Sequence, residues 1–253
     1  MDADVIVVDK PPGITTMRHP KEAAEFGARA QRYLPATLAD QLRDFMANQR
    51  RQNPLLRAVH RVDRDTSGLV VFALTPLAQG DLAEQFRAHT VERRYVALVR
   101  GRAKSQRIES NLVEDRGDGR RGSSKVPGAG KRAVTNVLTL EDLGDYTVVE
   151  CRLETGRTHQ VRIHLGEAGT PICGERVYDR PLHGRPIPDA SGMARTALHA
   201  TTLGFKHPRT GQKLRWTSAI PKDMADAIKR IHRIAAERAA ESGPHGNNSD
   251  RVE

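Results

Sequence analysis

The chain has 253 residues, of which 38% are hydrophobic and 28% charged, and its formal net charge is +10. These values are typical of a soluble globular protein with one large domain or two small ones, and no apolar run reaches the roughly 18 residues of a membrane-spanning helix. The excess of Lys and Arg favours a polyanionic partner such as nucleic acid over an inert basic surface.

Short strands and two helices are predicted for the N-terminal half of the chain. The pattern gives a strand at 4–8, a helix at 37–52 capped by Thr37, a buried strand at 69–74, a helix at 75–90 capped by Thr75, and a strand at 93–101. In the second helix we expect Leu77, Leu82 and Phe86 to face inward. The acidic start of the chain is unlike a signal peptide, which predicts a cytoplasmic protein.

The C-terminal half is predicted to be rich in strands. Residues 102–132 contain few apolar side chains and favour weak strands or a hairpin with a mobile basic tip. Strands then follow, including the run QVRIHL at 160–165, in which Val161, Ile163 and Leu165 would form the inward face. A helix is expected at 221–241. The fold class is therefore α+β, with one mixed, largely antiparallel central sheet flanked by helices and loops.

Three polar clusters interrupt the apolar strands. They are HRVDRDTSG at 60–68, RRY at 93–95 and ETGRTHQVRIH at 154–164. Two of them lie where a predicted strand begins, so we expect acidic, arginine and tyrosine side chains to converge on one cleft.

Other chemistries are weighed at these clusters. His60, Asp63, His159 and His164 could supply metal ligands, but their spacing lacks the helical zinc pair, and arginines at 57, 61, 64, 157 and 162 disfavour a cation. Ser67 lacks the turn motif of a serine nucleophile. Cys151 and Cys173 are too few for a disulfide framework or a zinc quartet. Cys151 is expected to be a buried thiol, and no role is assigned to Cys173.

Carboxylate chemistry in a basic cleft remains. Arginines beside an aspartate favour its ionised form, which suits a nucleophile or a base at neutral pH. For Asp63, a catalytic role and simple ion pairing in a turn are about equally supported by the residues alone. For Asp65, followed by Thr66 and a Ser-Gly pair, a role in shaping the turn is favoured.

The motif HRVDRDTSGLVVFA, with VDKPPGITTMRHP before it and ETGRTHQVRIHLGEAGTPICGE after it, resembles the RluA-type family of RNA pseudouridine synthases. The resemblance continues through RRYVALVRG, GKRAVTNVLTL, LHATTLGFKHPRTGQ and RWTSAIPKD and covers residues 4–223. It implies the pseudouridine synthase fold, with the active-site cleft across the central sheet, and an isomerase that acts on RNA.

The resemblance also assigns residues. It implies that Asp63 is the essential aspartate, that Tyr95 stacks on the target base, and that Arg162 pairs with the aspartate. Substrate contacts are implied for Leu165 in the uracil pocket and for Arg61, which would fill the gap left by a flipped nucleotide. His60 and Arg157 of the same motifs are predicted to bind substrate as well. No cofactor and no metal are expected.

The predicted protein is a single catalytic domain over residues 1–240 without a separate N-terminal RNA-binding domain, followed by a disordered tail at 241–253. Its predicted partner is ribosomal RNA, transfer RNA or both, and it is expected to be a monomer. A catalytically silent RNA-binding or RNA-folding protein on the same fold is the alternative. Cys173 and Glu175 depart from the usual family block, and residues 179–195 resemble an insertion of unknown role.

Overall fold

A computed structural model of the chain describes residues 1–18, 34–48, 55–181 and 184–241. Ten strands form one sheet in the order β1-β3-β9-β4-β8-β7-β5-β6, with β2 paired to β3 and β10 paired to β9. The strands are β1 (Val5–Lys10), β2 (Arg57–Ala58), β3 (Ser67–Ala73), β4 (Glu92–Arg100), β5 (Gln106–Val113), β6 (Gly122–Ser123), β7 (Lys131–Asp142), β8 (Tyr146–Leu153), β9 (Leu198–Lys206) and β10 (Lys213–Thr217). The helices are α1 (Leu38–Asn48), α2 (Pro76–Arg87), α3 (Gln160–Glu167) and α4 (Lys222–Glu241).

The sheet is mixed and largely antiparallel, which confirms the predicted α+β class. Within the described residues, the pairing of β3 with β9 is parallel, and the other named strand pairs are antiparallel. Gly68 lies at this parallel contact with a φ of +110°, and a Cβ there would overlap the backbone of Ala200. Only glycine fits this position, because it lacks the Cβ and tolerates a positive φ.

Strand β3 separates two apolar layers. All of its residues are buried, and their side chains alternate between the layers: Val70 and Phe72 pack on one face, and Leu69 and Val71 on the other. Helices α1 and α4 contribute to the first layer and α2 to the second. The strand carries the Asp63 loop at its start, so this buried element gives that loop a rigid support.

Helices α1 and α2 agree with the predicted elements, with one side chain placed wrongly. The hydroxyl of Thr37 accepts from the Asp40 N–H and that of Thr75 from the Ala78 N–H, at 3.2 Å each, so both predicted caps are confirmed. The predicted end of the first helix, beyond Asn48, lies outside the described residues. Leu77, expected to face inward, is 51% exposed. The buried face of α2 contains Ala78 and Leu82, and Leu77 points away from it.

The run at 160–165 is helix α3, and the predicted strand is wrong. Gln160 starts the helix: its side-chain oxygen accepts from the Thr155 hydroxyl at 2.8 Å and from the Arg157 N–H at 3.0 Å, and its amide donates to the Val134 carbonyl at 2.9 Å. Residues 163, 164 and 165 are all buried. When successive side chains of an element are buried, the spacing of its apolar residues does not distinguish a helix from a strand. The chance alternation of apolar and polar residues at 160–165 therefore suggested a strand. His164, which alternates with these apolar residues and would face outward in a strand, is buried as well.

The remaining predictions are mostly confirmed. Residues 102–132 contain β5 and β6, which pair as an antiparallel hairpin. Cys151 is fully buried, as predicted, and so is Cys173. In α4, Met224 and Ile231 are buried, whereas Ile234 is 39% exposed. The predicted tail beyond α4 lies outside the described residues, and none of the helices described is long and apolar enough to cross a bilayer.

Candidate active site

The loop that carries Asp63 joins β2 to β3 and is fixed by His60. The imidazole Nε2 of His60 accepts the Val71 N–H at 3.0 Å, and the ring stacks on Phe86 with 4.5 Å between centroids. Burial, reinforced by the positive charge of Arg93, lowers the pKa of His60 to about 3. The ring is therefore neutral at physiological pH, and a neutral ring can act as an acceptor.

The segment after β1 closes on the same loop from the other side. The Lys10 ammonium is fully buried and donates to the carbonyls of Pro11, Ile14 and Arg64 at 2.9–3.0 Å. Gly13 donates to the Arg64 carbonyl at 2.9 Å, and its own carbonyl accepts from the Arg64 side chain at 3.0 Å. The Lys-Pro-Pro-Gly segment thus holds the backbone directly after Asp63 in one conformation.

Arg162 of α3 pairs with Asp63. Its Nη1 donates to the Asp63 carboxylate at 3.1 Å, and its Nε and Nη2 donate to Glu175 at 2.6 and 2.9 Å. Burial opposes the charged guanidinium, but the bonds to Glu175 and Asp63 outweigh burial and raise the pKa of Arg162. The arginine is permanently charged, and two carboxylates fix its orientation.

Glu175 is the anchor of this arrangement. Its side chain is 1% exposed. One carboxylate oxygen also accepts the N–H groups of Arg176 and Val177 at 3.0 and 2.8 Å. Burial would raise the pKa of Glu175, yet Arg162 and the backbone N–H groups of Val177 and Tyr178 lower it below its ordinary value. A carboxylate with this many charged and backbone donors is rigid, and it transmits that rigidity to Arg162.

His159 approaches the other oxygen of Asp63. Its Nε2 lies 3.9 Å from the Asp63 carboxylate, and its Nδ1 is hydrogen-bonded to the Tyr178 hydroxyl at 2.8 Å. Burial lowers the pKa of His159, although Asp63 opposes this effect. The backbone of His159 has a φ of +59°, in the left-handed region that non-glycine residues rarely adopt. The turn into α3 therefore directs this ring at Asp63 through an uncommon backbone conformation.

Tyr95 on β4 completes the wall of the site. It is 8% exposed and lines the same cavities as Asp63. Burial raises the pKa of the Tyr95 phenol, and Arg93 partly opposes that rise. The ring is thus a neutral, mostly apolar surface at physiological pH, which suits stacking against a nucleobase.

Two adjoining cavities surround these groups. A small one of about 50 Å³ lies against Asp63 and is walled by Val62, Leu153, Val161 and Leu198 together with the polar residues of the site. A larger one of about 430 Å³ shares Arg61, Asp63, Tyr95, Leu153 and Arg157 with it. The combined space has an apolar wall, one aspartate and several cations, which suits a flat heterocycle attached to an anionic backbone.

The residues predicted from sequence converge, with one exception. The small cavity is lined by Arg61, Asp63, Tyr95, Arg157 and Arg162, and the larger one by His60. Leu165, expected to line a uracil pocket, is fully buried in the main apolar layer and is not among the residues lining either cavity. Val161, one turn earlier in α3, lines the small cavity instead.

The sequence did not identify the supporting residues. Glu175 was noted only as a departure from the family block, and His159 was considered only as a metal ligand. Their proximity to Asp63 comes from the turn at 154–159 and from the loop after α3. The side-chain types gave one signal in advance: an acid a few residues from an arginine can pair with it.

Metal ligation was not expected at this site. Within the described part of the chain, the cluster of potential metal ligands is formed by Asp2, Asp4 and His207, none of which lines these cavities. Asp4 is occupied by Arg209, which donates to both of its oxygens at 2.7 Å. The chemistry available at the cavity is that of a carboxylate fixed on a guanidinium, beside a tyrosine and a histidine.

Comparison with known proteins places the chain in a family. The model of the RNA pseudouridylate synthase family matches residues 4–167. The uncharacterized RNA pseudouridine synthase YlyB of Bacillus subtilis is 38% identical over 236 residues, which cover 92% of this chain and 71% of that protein. A ribosomal large subunit pseudouridine synthase D of Nitrosomonas europaea is 39% identical over 243 residues, covering 92% of this chain and 64% of that protein.

Solved structures show the same fold. Human RNA pseudouridylate synthase domain containing 4 superposes with a TM-score of 0.71 at 20% identity, over 91% of both chains. Human RNA pseudouridylate synthase domain containing 1 gives a TM-score of 0.60 at 22% identity, over 91% of this chain and 92% of that one. The fold, the family model and the curated relatives agree with the resemblance seen in the sequence motifs, and the chain belongs to the RNA pseudouridylate synthase family.

Proposed function

We propose that this protein isomerises specific uridines to pseudouridine in structured RNA, with Asp63 as the catalytic carboxylate and without a cofactor. The observation that carries the proposal is the Asp63 carboxylate, which accepts from Arg162 at 3.1 Å beside a cavity lined by Tyr95. The formal net charge of +10 is consistent with a polyanionic substrate.

The reaction breaks the N1–C1′ bond of uridine, turns the freed uracil and forms a C5–C1′ bond. Asp63 attacks C1′ or removes a ribose proton, and the two routes need the same fixed carboxylate. The proton on C5 is lost and N1 gains a proton, so atoms balance without a redox step. Arg162 holds the carboxylate, and Tyr95 stacks on the base and is the candidate to take part in proton removal.

The target nucleotide must leave its stack, which costs about a few kcal/mol. Stacking on Tyr95 offsets part of this cost, and we propose that Arg61 occupies the gap left in the RNA. His60 fixes the loop from which Arg61 and Asp63 project, and Arg157, which lines both cavities, contacts the substrate. These roles are consistent with the positions of the four side chains around the two cavities.

For the substrate we propose large-subunit ribosomal RNA, with transfer RNA as the alternative. Several of the curated relatives are described as ribosomal large subunit pseudouridine synthases. The described part of the chain contributes a basic cavity, whereas recognition of one RNA over another depends on a much larger surface.

Tritium release from RNA labelled at uridine C5 tests the proposal. The wild-type protein should release tritium from large-subunit ribosomal RNA faster than from transfer RNA. Asp63→Asn should lower release by about 10³-fold or more and leave RNA affinity within a few-fold, because the amide keeps the shape and loses the nucleophile or base. Asp65→Asn is the matched control from the same loop and should retain most of the activity. Release that survives Asp63→Asn would refute the role of Asp63, and RNA binding without any release would support the silent RNA-binding alternative.

A further inference from the structure

A buried cation in the larger cavity has no counterion among the described residues. Arg93 on β4 is 8% exposed, and it lines the cavity together with Asp63 and Tyr95. Its Nε and Nη2 atoms have no hydrogen-bond partner in the part of the chain that the structure describes. The face of the Phe86 ring lies 5.6 Å from the guanidinium carbon. An aromatic face attracts a cation, but it supplies no negative charge and no oxygen acceptor for these N–H groups.

Two other arginines of the described chain, whose side chains are almost fully buried, are paired. Arg100, on the same strand, donates to the carbonyls of Ile172 and Glu175 at 3.0 Å each, and its Nε, which has no hydrogen bond, has the Asp189 carboxylate as a counterion at 3.8 Å. Arg116 pairs with Asp118 and Glu167 at 3.0 Å each. A buried charge is expensive unless an opposite charge or hydrogen-bond acceptors surround it. Arg93 therefore has the features of an anion-binding residue whose anion is not supplied by the described residues.

The surroundings of Arg93 favour an anion. The cavity is also lined by Arg61, Arg87 and Arg157, and Asp63 is the only acidic residue among its described lining side chains. Burial lowers the pKa of His89, and Arg93 and Arg157 lower it further. The arginines thus surround the larger cavity with positive charge, and its volume of about 430 Å³ is large enough for part of a nucleotide.

We propose that Arg93 binds a backbone phosphate of the RNA next to the nucleotide held over Asp63. This inference depends on RNA being the ligand, as in the proposed function, but not on turnover. The phosphodiester is the anionic group of RNA, and the planar fork of arginine matches two phosphate oxygens. Because Arg93, Asp63 and Tyr95 line one cavity, a phosphate at Arg93 belongs to the target nucleotide or to its direct neighbour.

The salt dependence of RNA binding tests the contact. Binding of a 20-nucleotide oligouridylate is measured from 50 to 300 mM salt for the wild type, Arg93→Met, Arg93→Lys and Arg94→Gln. Arg94 is the matched control, because it pairs with Glu92 at 2.7 Å and is not among the cavity-lining residues. Arg93→Met should bind about tenfold more weakly, and its slope of log affinity against log salt should be smaller by about 0.7, the value for one single-strand phosphate contact. Arg93→Lys should restore most of the slope.

Thermal unfolding separates a ligand site from a structural one. Since Arg93→Met removes an unpaired buried charge, we expect the melting temperature of the RNA-free protein to stay unchanged or to rise by about 2–4 °C. Gly156→Ala is a second variant, because a Cβ at 156 would overlap the Arg93 guanidinium, displacing it without removing its charge. It too should weaken RNA binding.

Weaker binding and a smaller slope in Arg93→Met, with Arg94→Gln like the wild type, would support the phosphate site. Equal affinity and slope in all variants would overturn it, whatever happens to the melting temperature. If Arg93→Met fails to fold, Gly156→Ala decides by the same measure. The proposed function fails separately, by the absence of tritium release, and a protein without turnover could still show the Arg93 effect on binding.

Discussion

At the scale of single residues, Glu175 determines how Arg162 is presented to Asp63. Three of its contacts are backbone N–H groups within the next three residues, and its other oxygen accepts from Arg162 Nε at 2.6 Å. The loop after α3 thus folds around one carboxylate. Arg162 uses two nitrogens on Glu175 and is left with Nη1 for Asp63. We infer that Glu175 is a positioning residue, which acts on the proposed reaction through its contacts with Arg162.

Replacement of Glu175 should therefore affect turnover more than binding. Glu175→Gln leaves Arg162 with a weaker partner, and a misplacement of the Arg162–Asp63 pair by about 1 Å costs roughly 10²-fold in rate. We expect kcat in the tritium-release assay to fall by about that factor, with KM changed by less than about threefold.

The matched control for this change is Glu167→Gln. Glu167 is a mostly buried acid of α3 that pairs with Arg116 at 3.0 Å, and it lines neither cavity near Asp63. Both variants should lower thermal stability, but only Glu175→Gln should lower kcat. An equal loss of kcat in the two variants would mean that Glu175 acts through general stability alone.

Residues encoded in compact motifs were predictable, and residues brought in by tertiary contacts were not. Asp63, Tyr95 and Arg162 each stand in a short run whose side-chain types already favour a basic cleft with one carboxylate. His159 reaches Asp63 because its backbone is in the left-handed conformation, and the presence of a histidine does not predict that conformation. Arg93 shares the face of Tyr95 by strand alternation, but that its Nε and Nη2 have no hydrogen-bond partner among the described residues depends on tertiary packing and could not be predicted from sequence.

At the scale of elements, α3 shows that an alternation of apolar and polar residues does not by itself distinguish a strand from a helix. Its first residue, Gln160, donates a side-chain hydrogen bond to the Val134 carbonyl of β7. The backbone hydrogen bonds of the turn begin with the Ile163 N–H, which donates to the His159 carbonyl at 2.9 Å. A helix places Arg162 on the side of Asp63 and His164 on the side of β7. A strand would have placed the two residues on the same face, as the sequence suggested.

The burial of His164 makes stability depend on pH. Its Nδ1 is hydrogen-bonded to the Thr135 hydroxyl at 2.9 Å and its Nε2 to the Ser110 hydroxyl at 3.1 Å. Burial lowers the pKa of His164 from 6.5 to about 4. Between pH 6.5 and about 4, His164 is therefore protonated to a greater extent in the unfolded chain than in the folded protein. The contribution of His164 is complete above pH 6.5 and is lost as the pH falls toward 4.

His164→Gln should reduce this pH dependence. Between pH 7 and pH 4 the wild type should lose up to about 3 kcal/mol of unfolding free energy through His164. Glutamine keeps an amide near the two hydroxyls and does not titrate, so the variant should be less stable at pH 7 and should lose less on acidification. Urea unfolding at pH 7, 5.5 and 4.5 measures both effects. The exposed His232, which pairs with Glu141 at 2.9 Å, provides the control His232→Gln. Equal pH slopes in the wild type and His164→Gln would contradict the assignment.

At the scale of the whole molecule, the fold concentrates charge at the cavity. The described residues contain many arginines that are neutralised by acids away from the two cavities near Asp63, such as Arg107 by Glu154 at 3.1 Å and Arg132 by Glu109 at 2.6 Å. By contrast, the larger cavity is lined by four arginines and one acid, and of the four only Arg87 has an acidic partner among the described residues, Glu84. The net charge of +10 was visible in the composition, but its location depended on which arginines find partners, and that is decided by strand register.

RNA affinity should therefore depend steeply on salt. If the four arginines that line the larger cavity each neutralise one phosphate, the slope of log affinity against log salt for single-stranded RNA is about −3. Affinity should then fall by roughly 50-fold between 50 and 200 mM monovalent salt. The measurement uses Asp63→Asn to prevent turnover, and glycerol at matched osmotic strength controls for effects unrelated to ions. A slope near zero would mean that uracil and ribose contacts dominate binding and that the cationic wall does not meet the backbone. A slope much steeper than −3 would place further phosphate contacts outside this cavity, on the wider basic surface.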